Sequence, residues 1–315
     1  MNAMNFRDSL DTLFLISHEM IDTRGEDSFC CAHCADAAIV SVFDGCGGLG
    51  SRTYRDFGGN TGAYMASRLL SGAAHSWFRD HHDRPFADCA QLAGSMTAYF
   101  NKAYTLAASR IREESRIRGS MVRDLPTTGA IAFARQEGDA IRLYVLWAGD
   151  SRVYLLNKEG LAQLTQDDAE GGDALHALTN DAALTNLLSC DGKYTLHCRT
   201  LEVREPCAIL AATDGCFGYI PTPMEFEYTL LSALRSAKNV DELRKMIREA
   251  ILSVAGDDFT LGWMSFFCGT YEKLQNAFAP RLEELEKDYI TPLRTGHATA
   301  STLWGSYRRG YERYL

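Results

Sequence analysis

The chain has 315 residues, a formal net charge of −9, and a composition of 46% apolar and 23% charged residues. These values are typical of a globular protein with a sizeable buried core. The negative charge argues against nucleic-acid binding, and no apolar run is long enough for a membrane span. The first residues, MNAMNFRDSLDTLFLIS, lack the features of a signal peptide, so we expect a cytoplasmic protein.

Cysteines cluster around a histidine in the stretch Cys30-Cys31-Ala32-His33-Cys34. This stretch is similar to half of a zinc site, but the second C-x-x-C or H-x-x-x-H pair is missing from the sequence. In a chain of this size without an export signal, reduced thiols are the favoured interpretation.

Hydrophobic periodicity predicts the secondary structure. The predicted strands are Ile39–Phe43, Ala130–Arg135, Ile141–Trp147, Arg152–Leu156, Thr195–Val203, Ala208–Thr213 and Phe259–Phe267. The predicted helices are Asn60–Phe78, Cys89–Arg116, Met224–Ser236 and Asp241–Val254. Because the strands occur in groups and do not alternate strictly with helices, the pattern favours an α+β fold over a doubly wound parallel sheet.

Two further segments differ from this pattern. Gln166–Gly192 is polar and rich in glycine and aspartate, which predicts a long surface insertion. Apolar residues after Cys268 keep helical spacing, so residues 269–315 are predicted to form a helical extension in which Pro280 kinks or divides the helix. The final stretch, WGSYRRGYERYL, either binds a partner or folds back on the rest of the chain.

Gly45–Gly50 satisfies the pattern G-x-G-x-x-G of dinucleotide-binding loops. Such a loop opens directly into a helix, and an acid about twenty residues further on binds the ribose. Here Gly58, Gly59 and Gly62 follow, and no acid occurs from Phe57 to Trp77. We therefore interpret the glycine pattern as a coincidence.

Acidic residues recur at the ends of predicted strands. They are Glu26, Asp27, Asp44, Asp150, Asp214, Asp257 and Asp258. One such acid would be a turn residue, since Asp-Gly is a common turn pair, but a recurrence of this kind favours a shared site. Carboxylates that converge away from water need a cation, and oxygen ligands without histidine or cysteine suit Mg²⁺ or Mn²⁺.

These blocks resemble, in the same order, those of the metal-dependent protein serine/threonine phosphatases of the protein phosphatase 2C type, in particular its bacterial members. The blocks are Gly25-Glu26-Asp27, Asp44-Gly45-Cys46-Gly47-Gly48, Gly149-Asp150-Ser151-Arg152-Val153-Tyr154, Leu164-Thr165-Gln166-Asp167-Asp168, Thr213-Asp214-Gly215-Cys216 and Asp257-Asp258-Phe259-Thr260. The similarity spans roughly residues 10–267.

The resemblance implies a four-layer α/β/β/α sandwich of two antiparallel sheets flanked by helices. It places the catalytic domain at residues 1–268, with a variable flap-like insertion at 166–192 and the helical extension at 269–315. The implied cofactors are two Mn²⁺ or Mg²⁺ ions, with a third in bacterial members.

The resemblance also implies a role for each acid. Asp44 would bridge both ions, the carbonyl of Gly45 would complete one coordination sphere, and Asp214 and Asp257 would hold the other ion, which makes these three aspartates the catalytic set. The remaining implied ligands are Glu26 and Asp27, which act through waters, and Asp150, which binds the third ion.

The implied reaction is the hydrolysis of phosphoserine and phosphothreonine in proteins by a water that two metal ions activate. The expected partners are a phosphoprotein and a cognate serine/threonine kinase, with no nucleic acid and no membrane. Two alternatives stay open: a pseudophosphatase that binds phosphoproteins without turnover, and a metal-dependent hydrolase of small phosphate esters.

The sequence departs from the family pattern around the substrate. Cys46 stands where many relatives carry a histidine, and Asp258 and Asp168 replace the usual asparagine and histidine. The phosphate-binding arginine of the family corresponds to Asp22 here. Arg24 would face the same way if the segment were an extended strand, so Arg24 is predicted either to bind phosphate or to be a surface arginine.

Overall fold

The computed structural model describes residues 6–111, 124–170, 174–177 and 183–315. The strands are β1 Leu10–His18, β2 Ser28–His33, β3 Ala37–Phe43, β4 Thr53–Tyr54, β5 Asn60–Thr61, β6 Gly129–Glu137, β7 Ala140–Ala148, β8 Arg152–Asn157, β9 Gly160–Gln163, β10 His197–Val203, β11 Cys207–Ala212 and β12 Phe259–Phe266. The helices are α1 Phe6–Ser9, α2 Gly62–His81, α3 Cys89–Ala108, α4 Ala174–Ala177, α5 Pro223–Ser236, α6 Val240–Leu252, α7 Tyr271–Leu285, α8 Thr291–Arg294 and α9 Ala300–Tyr311.

Two antiparallel sheets form the centre of the molecule, with strand orders β1-β12-β11-β8-β9 and β10-β7-β6-β3-β2. Helices α2 and α3 cover the outer face of the second sheet, and α5, α6, α7 and α9 cover the outer face of the first. The predicted four-layer α/β/β/α sandwich is confirmed.

Each pair of neighbouring layers encloses its own apolar core. Val40, Val145 and Met264 lie between the two sheets, whereas Trp77 and Phe133 lie under α2 and α3. Because the central strands are covered on both faces, they appear in the sequence as continuous apolar runs and not as alternating ones.

Most predicted elements are present within a few residues of their predicted ends, but β1, β2 and β9 were not predicted. Helix α3 ends at Ala108, eight residues before the predicted end at Arg116, and residues 112–116 of that prediction lie outside the described residues. Strand β2 was missed because its cysteines were interpreted as scattered thiols and not as alternating strand residues. Cys30 faces the core under α2 and α3, while Cys31 packs on the core between the sheets.

The segment predicted as a surface insertion is partly buried. Leu187 and Leu188 have 1% and 0% of their surface exposed, and the backbone of Leu188 pairs with Thr127. Residues 171–173 and 178–182 lie outside the described residues. The described end of this segment therefore belongs to the core.

The helices after residue 270 share the apolar core on the outer face of the first sheet. Helix α7 runs through Pro280 undivided, so of the two effects predicted for this proline, division does not occur. Pro280 is exposed, so water can satisfy the carbonyl group that its missing N–H leaves free. In α9, the Tyr311 ring is buried, and its hydroxyl lies 3.4 Å from the Tyr154 hydroxyl and 3.5 Å from a guanidinium nitrogen of Arg152. The tail thus folds back on the domain.

Among the described residues, no helix combines the length and the apolar character that crossing a membrane requires.

Candidate metal centre

The ends of strands from both sheets bring the acids of the sequence blocks together. Each of them lies within two residues of a strand end. They are Glu26, Asp27, Asp44, Asp150, Asp214 and Asp257. The strand pairings align these ends, since Ser28 pairs with Phe43, and Ala212 pairs with both Leu261 and Arg152. The acids therefore meet at one end of the sandwich.

Hydrogen bonds hold the two sheets together at this end. The Thr213 hydroxyl donates to Asp27 Oδ2 at 2.8 Å and accepts from the backbone N–H of Thr260 at 2.9 Å. The carboxyl groups of Asp44 and Asp214 lie within hydrogen-bonding reach of each other. The first sheet supplies Asp214 and the second supplies Asp44 and Asp27, so the cluster exists only when the sheets are packed together.

The protein itself leaves these carboxyl groups poorly compensated. Burial, followed by repulsion from Asp214, Asp27 and Asp150, holds the pKa of Asp44 well above its ordinary value. Burial raises the pKa of Asp27 to about 8 against hydrogen bonds that lower it. Burial and then the charge of Asp214 raise the pKa of Asp150 to about 7.

The outer acids of the cluster follow the same trend. Burial is the largest cause that raises the pKa of Glu26 and of Asp257. Cations bound among these carboxyl groups would offset their mutual repulsion and favour their ionised forms.

The donor set fits hard divalent cations. All its side-chain donors are carboxylate oxygens from several loops, which is the ligand type of Mg²⁺ and Mn²⁺. The described Cys–His group lies elsewhere, at the far end of β2. The residues present therefore fit the cofactors that the family blocks imply.

The glycines of the Asp44–Gly48 block allow close packing. A Cβ at Gly45 would lie 2.5 Å from the Ala63 carbonyl oxygen, and a Cβ at Gly47 would lie 2.2 Å from Glu26 Oε2. The chain passes through β4 and β5 before α2 begins at Gly62. This confirms that the dinucleotide pattern is a coincidence.

The two unusual aspartates hold loops in place. Asp258 accepts backbone N–H groups from Met20 at 2.7 Å and from Glu26 at 2.8 Å. Asp168 accepts from Gly149 N at 3.0 Å and lies 2.9 Å from His197 Nε2. Neither contact was foreseen from the sequence, because both join residues that are distant in the chain.

Cys46 lies beside the acids. Burial and then the charges of Asp44, Asp150 and Asp214 hold the pKa of its thiol well above the ordinary value. In the metal-free protein, this environment therefore favours the neutral thiol of Cys46.

Arg24 does not lie in an extended strand, as the sequence argument assumed. Its N–H donates to the Ile21 carbonyl in a turn, Thr23 has a positive φ of 65°, and the Arg24 side chain is exposed. Because these residues form a turn, the alternation of side chains along a strand cannot be used to place Arg24 in the site.

A second arginine, Arg68 of α2, was missed by sequence reasoning. Burial raises the pKa of Glu26, and the charge of Arg68 opposes this rise weakly. Glu26 Oε1 also accepts the Thr61 hydroxyl at 2.5 Å. Its guanidinium carbon lies 3.4 Å from the Tyr64 ring centroid and a guanidinium nitrogen lies 3.3 Å from Glu19 Oε1. Thr61 and Arg68 are seven residues apart, so they share one helix face, and this spacing was the available signal.

Residues 16–252 match the family model described as protein phosphatase 2C. This is more than half of the chain, and the chain therefore belongs to the protein phosphatase 2C family. It is a protein serine/threonine phosphatase, as its sequence blocks predict. None of the curated proteins matches the sequence.

Solved structures share the fold. The Mycobacterium tuberculosis serine/threonine phosphatase PstP/Ppp is 20% identical with a TM-score of 0.59, and the match covers 82% of this chain and 99% of that chain. The PstP catalytic domain in complex with two manganese ions is 18% identical with a TM-score of 0.52 and the same coverage. Stp1 from Staphylococcus aureus is 14% identical with a TM-score of 0.57, covering 81% of this chain and 95% of that chain.

Proposed function

We propose that the protein hydrolyses phosphoserine and phosphothreonine in proteins, using two Mn²⁺ or Mg²⁺ ions and, as in bacterial relatives, a third. The substrate would be a phosphoprotein made by a serine/threonine kinase. One observation carries this proposal: the carboxyl groups of Asp44, Asp214 and Asp27 converge from two sheets, where burial and neighbouring carboxylates raise the pKa values of Asp44 and Asp27. The PstP domain with two manganese ions supports the choice of metal.

The residues that would hold the ions are Asp44, Gly45, Asp214, Asp257, Glu26, Asp27 and Asp150. Divalent cations bound there would supply an acidified water as nucleophile and positive charge for the phosphoryl oxygens.

Other residues of the chain hold the proposed metal ligands in position. Thr213 and the backbone of Thr260 fix Asp27, and Asp258 fixes the backbone at Glu26. Preorganisation of this kind keeps the ligand oxygens in place before substrate arrives. For the substrate phosphate, Arg24 is the candidate from the sequence, and Arg68 is the candidate whose charge acts on the cluster.

The cluster also argues against the pseudophosphatase alternative. A binding module has no need for several ionisable groups that destabilise one another when charged, since uncompensated buried charges are costly. Retention of the full acid set therefore favours turnover.

The test is metal-dependent hydrolysis of a chromogenic phosphate ester and of phosphoserine peptides by the full chain. We expect activity with Mn²⁺, loss of activity with a chelator, and at least about a 100-fold loss in Asp44→Asn, since even outer residues of metal sites contribute about 10–100-fold. Asp288→Asn is the matched control, because Asp288 is exposed and distant in sequence from the acid blocks.

Three results would contradict the proposal or change its substrate. Phosphopeptide binding without hydrolysis would establish the pseudophosphatase. Undiminished activity in Asp44→Asn would show that the metal centre takes no part in the reaction. Faster turnover of sugar phosphates than of phosphopeptides would assign the protein to small esters.

A further inference from the structure

A second group of metal-ligating side chains lies at the far end of the β2–β3 hairpin. Cys34 Sγ lies 3.1 Å from Asp36 Oδ1 and 3.3 Å from His82 Nδ1, and that nitrogen lies 3.3 Å from the same Asp36 oxygen. Cys34 and Asp36 belong to the hairpin turn, and His82 follows directly after α2. Three different ligand atoms therefore form one small triangle.

The triangle has the size of one face of a zinc tetrahedron. Zinc binds sulfur at about 2.3 Å and imidazole nitrogen or carboxylate oxygen at about 2.0–2.2 Å, which at tetrahedral angles separates the ligand atoms by about 3.3–3.6 Å. The observed separations of 3.1, 3.3 and 3.3 Å lie within a few tenths of an ångström of these values. Binding would need only a slight expansion of the triangle.

Backbone contacts hold the three residues in position. The N–H of Cys34 donates to the Ala37 carbonyl at 2.9 Å, and the Asp36 carbonyl accepts from Gln136 N at 3.0 Å. The His82 N–H donates to the Phe78 carbonyl at 2.9 Å, and the rings of these two residues pack 5.7 Å apart. The ligands are thus preorganised on two secondary-structure elements.

The site is open to solvent on one side. The side chains of His82 and Asp36 have 30% and 44% of their surface exposed. An ion can reach the triangle, and a water molecule can take the fourth position.

We propose that Cys34, Asp36 and His82 form a zinc site with three protein ligands and one open position. A thiolate and an imidazole favour Zn²⁺ over the Mg²⁺ or Mn²⁺ that suit the carboxylate cluster. The site differs from the one suggested by the cysteine stretch, because Cys30 and Cys31 pack into apolar cores and His33 is exposed.

Bound zinc would fasten the β2–β3 turn to the end of α2. The site is separated from Asp44 by the length of β2, about 20 Å at 3.3 Å per residue. It therefore stands apart from the phosphatase reaction, and failure of one proposal leaves the other intact.

Cobalt substitution of the metal-free full chain tests the site. Co²⁺ bound by a thiolate gives a sulfur-to-metal charge-transfer band in the near ultraviolet, which the carboxylate cluster cannot give. We expect this band in the unaltered protein, its displacement by Zn²⁺, its loss in Cys34→Ser, and at least about tenfold weaker zinc binding in His82→Ala, measured against a chromogenic chelator.

The controls are His33→Ala and Cys31→Ser, which alter the same stretch but leave the triangle in place, so both should keep the band. Cys46→Ser should also keep it, which excludes the thiol beside Asp44. Circular dichroism of each metal-free variant verifies that it is folded, and Mn²⁺-dependent hydrolysis by Cys34→Ser should equal that of the unaltered protein. Absence of the band from the unaltered protein, or its persistence in Cys34→Ser, would show that the trio is a hydrogen-bonded cluster without zinc.

Discussion

Buried carboxylates occur in two parts of the molecule and are balanced in different ways. Under the C-terminal helices, Glu227 is 0% exposed, and its oxygens accept from Arg281 Nε at 2.8 Å and from the Tyr307 hydroxyl at 2.7 Å. At the strand ends, Asp44 and Asp27 have other carboxylates as their nearest charges.

The source of the compensating positive charge distinguishes a carboxylate that stabilises the fold from carboxylates that form a site. Glu227 receives its positive charge from the chain itself, so it is compensated in every state of the folded protein. Under the proposed function, the strand-end acids would receive theirs from bound cations, so their charge state would depend on the metal and pH of the solution. A buried acid with an internal partner indicates packing, and a group of buried acids without one indicates a site.

The first prediction concerns the internal pair. Arg281→Met should lower the free energy of unfolding by about 3–5 kcal/mol, because it leaves Glu227 buried and unpaired. The matched control is Arg235→Met, which removes an exposed pair with Glu286 and should cost at most about 1 kcal/mol. Urea unfolding measures both.

Adding Glu227→Gln to Arg281→Met should restore much of the lost stability, since it removes the unpaired charge. Equal costs for the Arg281 and Arg235 variants would contradict the role assigned to the internal pair.

The second prediction concerns the acids that depend on external charge. Without divalent metal, the folded-state pKa of Asp27 is raised to about 8, so the folded protein holds protons that the unfolded chain releases. The stabilisation that Asp27 contributes is therefore fully present below about pH 4, the pKa of an aspartate in the unfolded chain. It is lost as the pH rises through about 8, the pKa of Asp27 in the folded protein.

Between pH 5 and pH 8 the metal-free protein should lose more than about 1.4 kcal/mol, the equivalent of one pKa unit. Saturating Mn²⁺ should abolish most of this loss, and Asp27→Asn should reduce it in the metal-free protein. Chelator-treated samples unfolded in urea across this pH range provide the measurement. A flat profile would show that the acids are compensated internally after all.

The third prediction, which has the smallest expected effect, concerns the arginine that binds the substrate phosphate. We expect Arg68→Ala to raise KM for a phosphopeptide about tenfold, equivalent to about 1.4 kcal/mol, and Arg24→Ala to have less effect. The reason is that the charge of Arg68 acts on Glu26, whereas Arg24 lies exposed in a turn. Steady-state kinetics at saturating Mn²⁺ measure both effects. A larger effect of Arg24→Ala would support Arg24, the candidate from the sequence, as the phosphate-binding residue.

The sequence predicts the acid cluster well because each member follows a local rule, an acid at the end of an apolar run. It does not predict Thr213 as the partner of Asp27 or His82 as the partner of Cys34, which lie 186 and 48 residues apart. Such pairs depend on how the layers pack, and no local pattern encodes them.

The same limit explains the errors. The sequence argument for Arg24 needed an extended backbone, but residues 21–24 form a turn, and the residue before it, Met20, donates its N–H to the distant Asp258. Pro280 was expected to kink or divide a helix by its intrinsic preference, but Phe278 and Leu282 on either side of it are buried in the apolar core, and the helix is not divided.

The burial of Tyr311 against Tyr154 has a consequence for biosynthesis. Strand β8, which begins two residues after Asp150, is sealed on its outer face by a ring that the ribosome adds more than 150 residues later. Until α9 has emerged, Arg152 and Tyr154 lack their contacts with the Tyr311 hydroxyl, so this part of the first sheet reaches its final packing only after residue 311 has been synthesised.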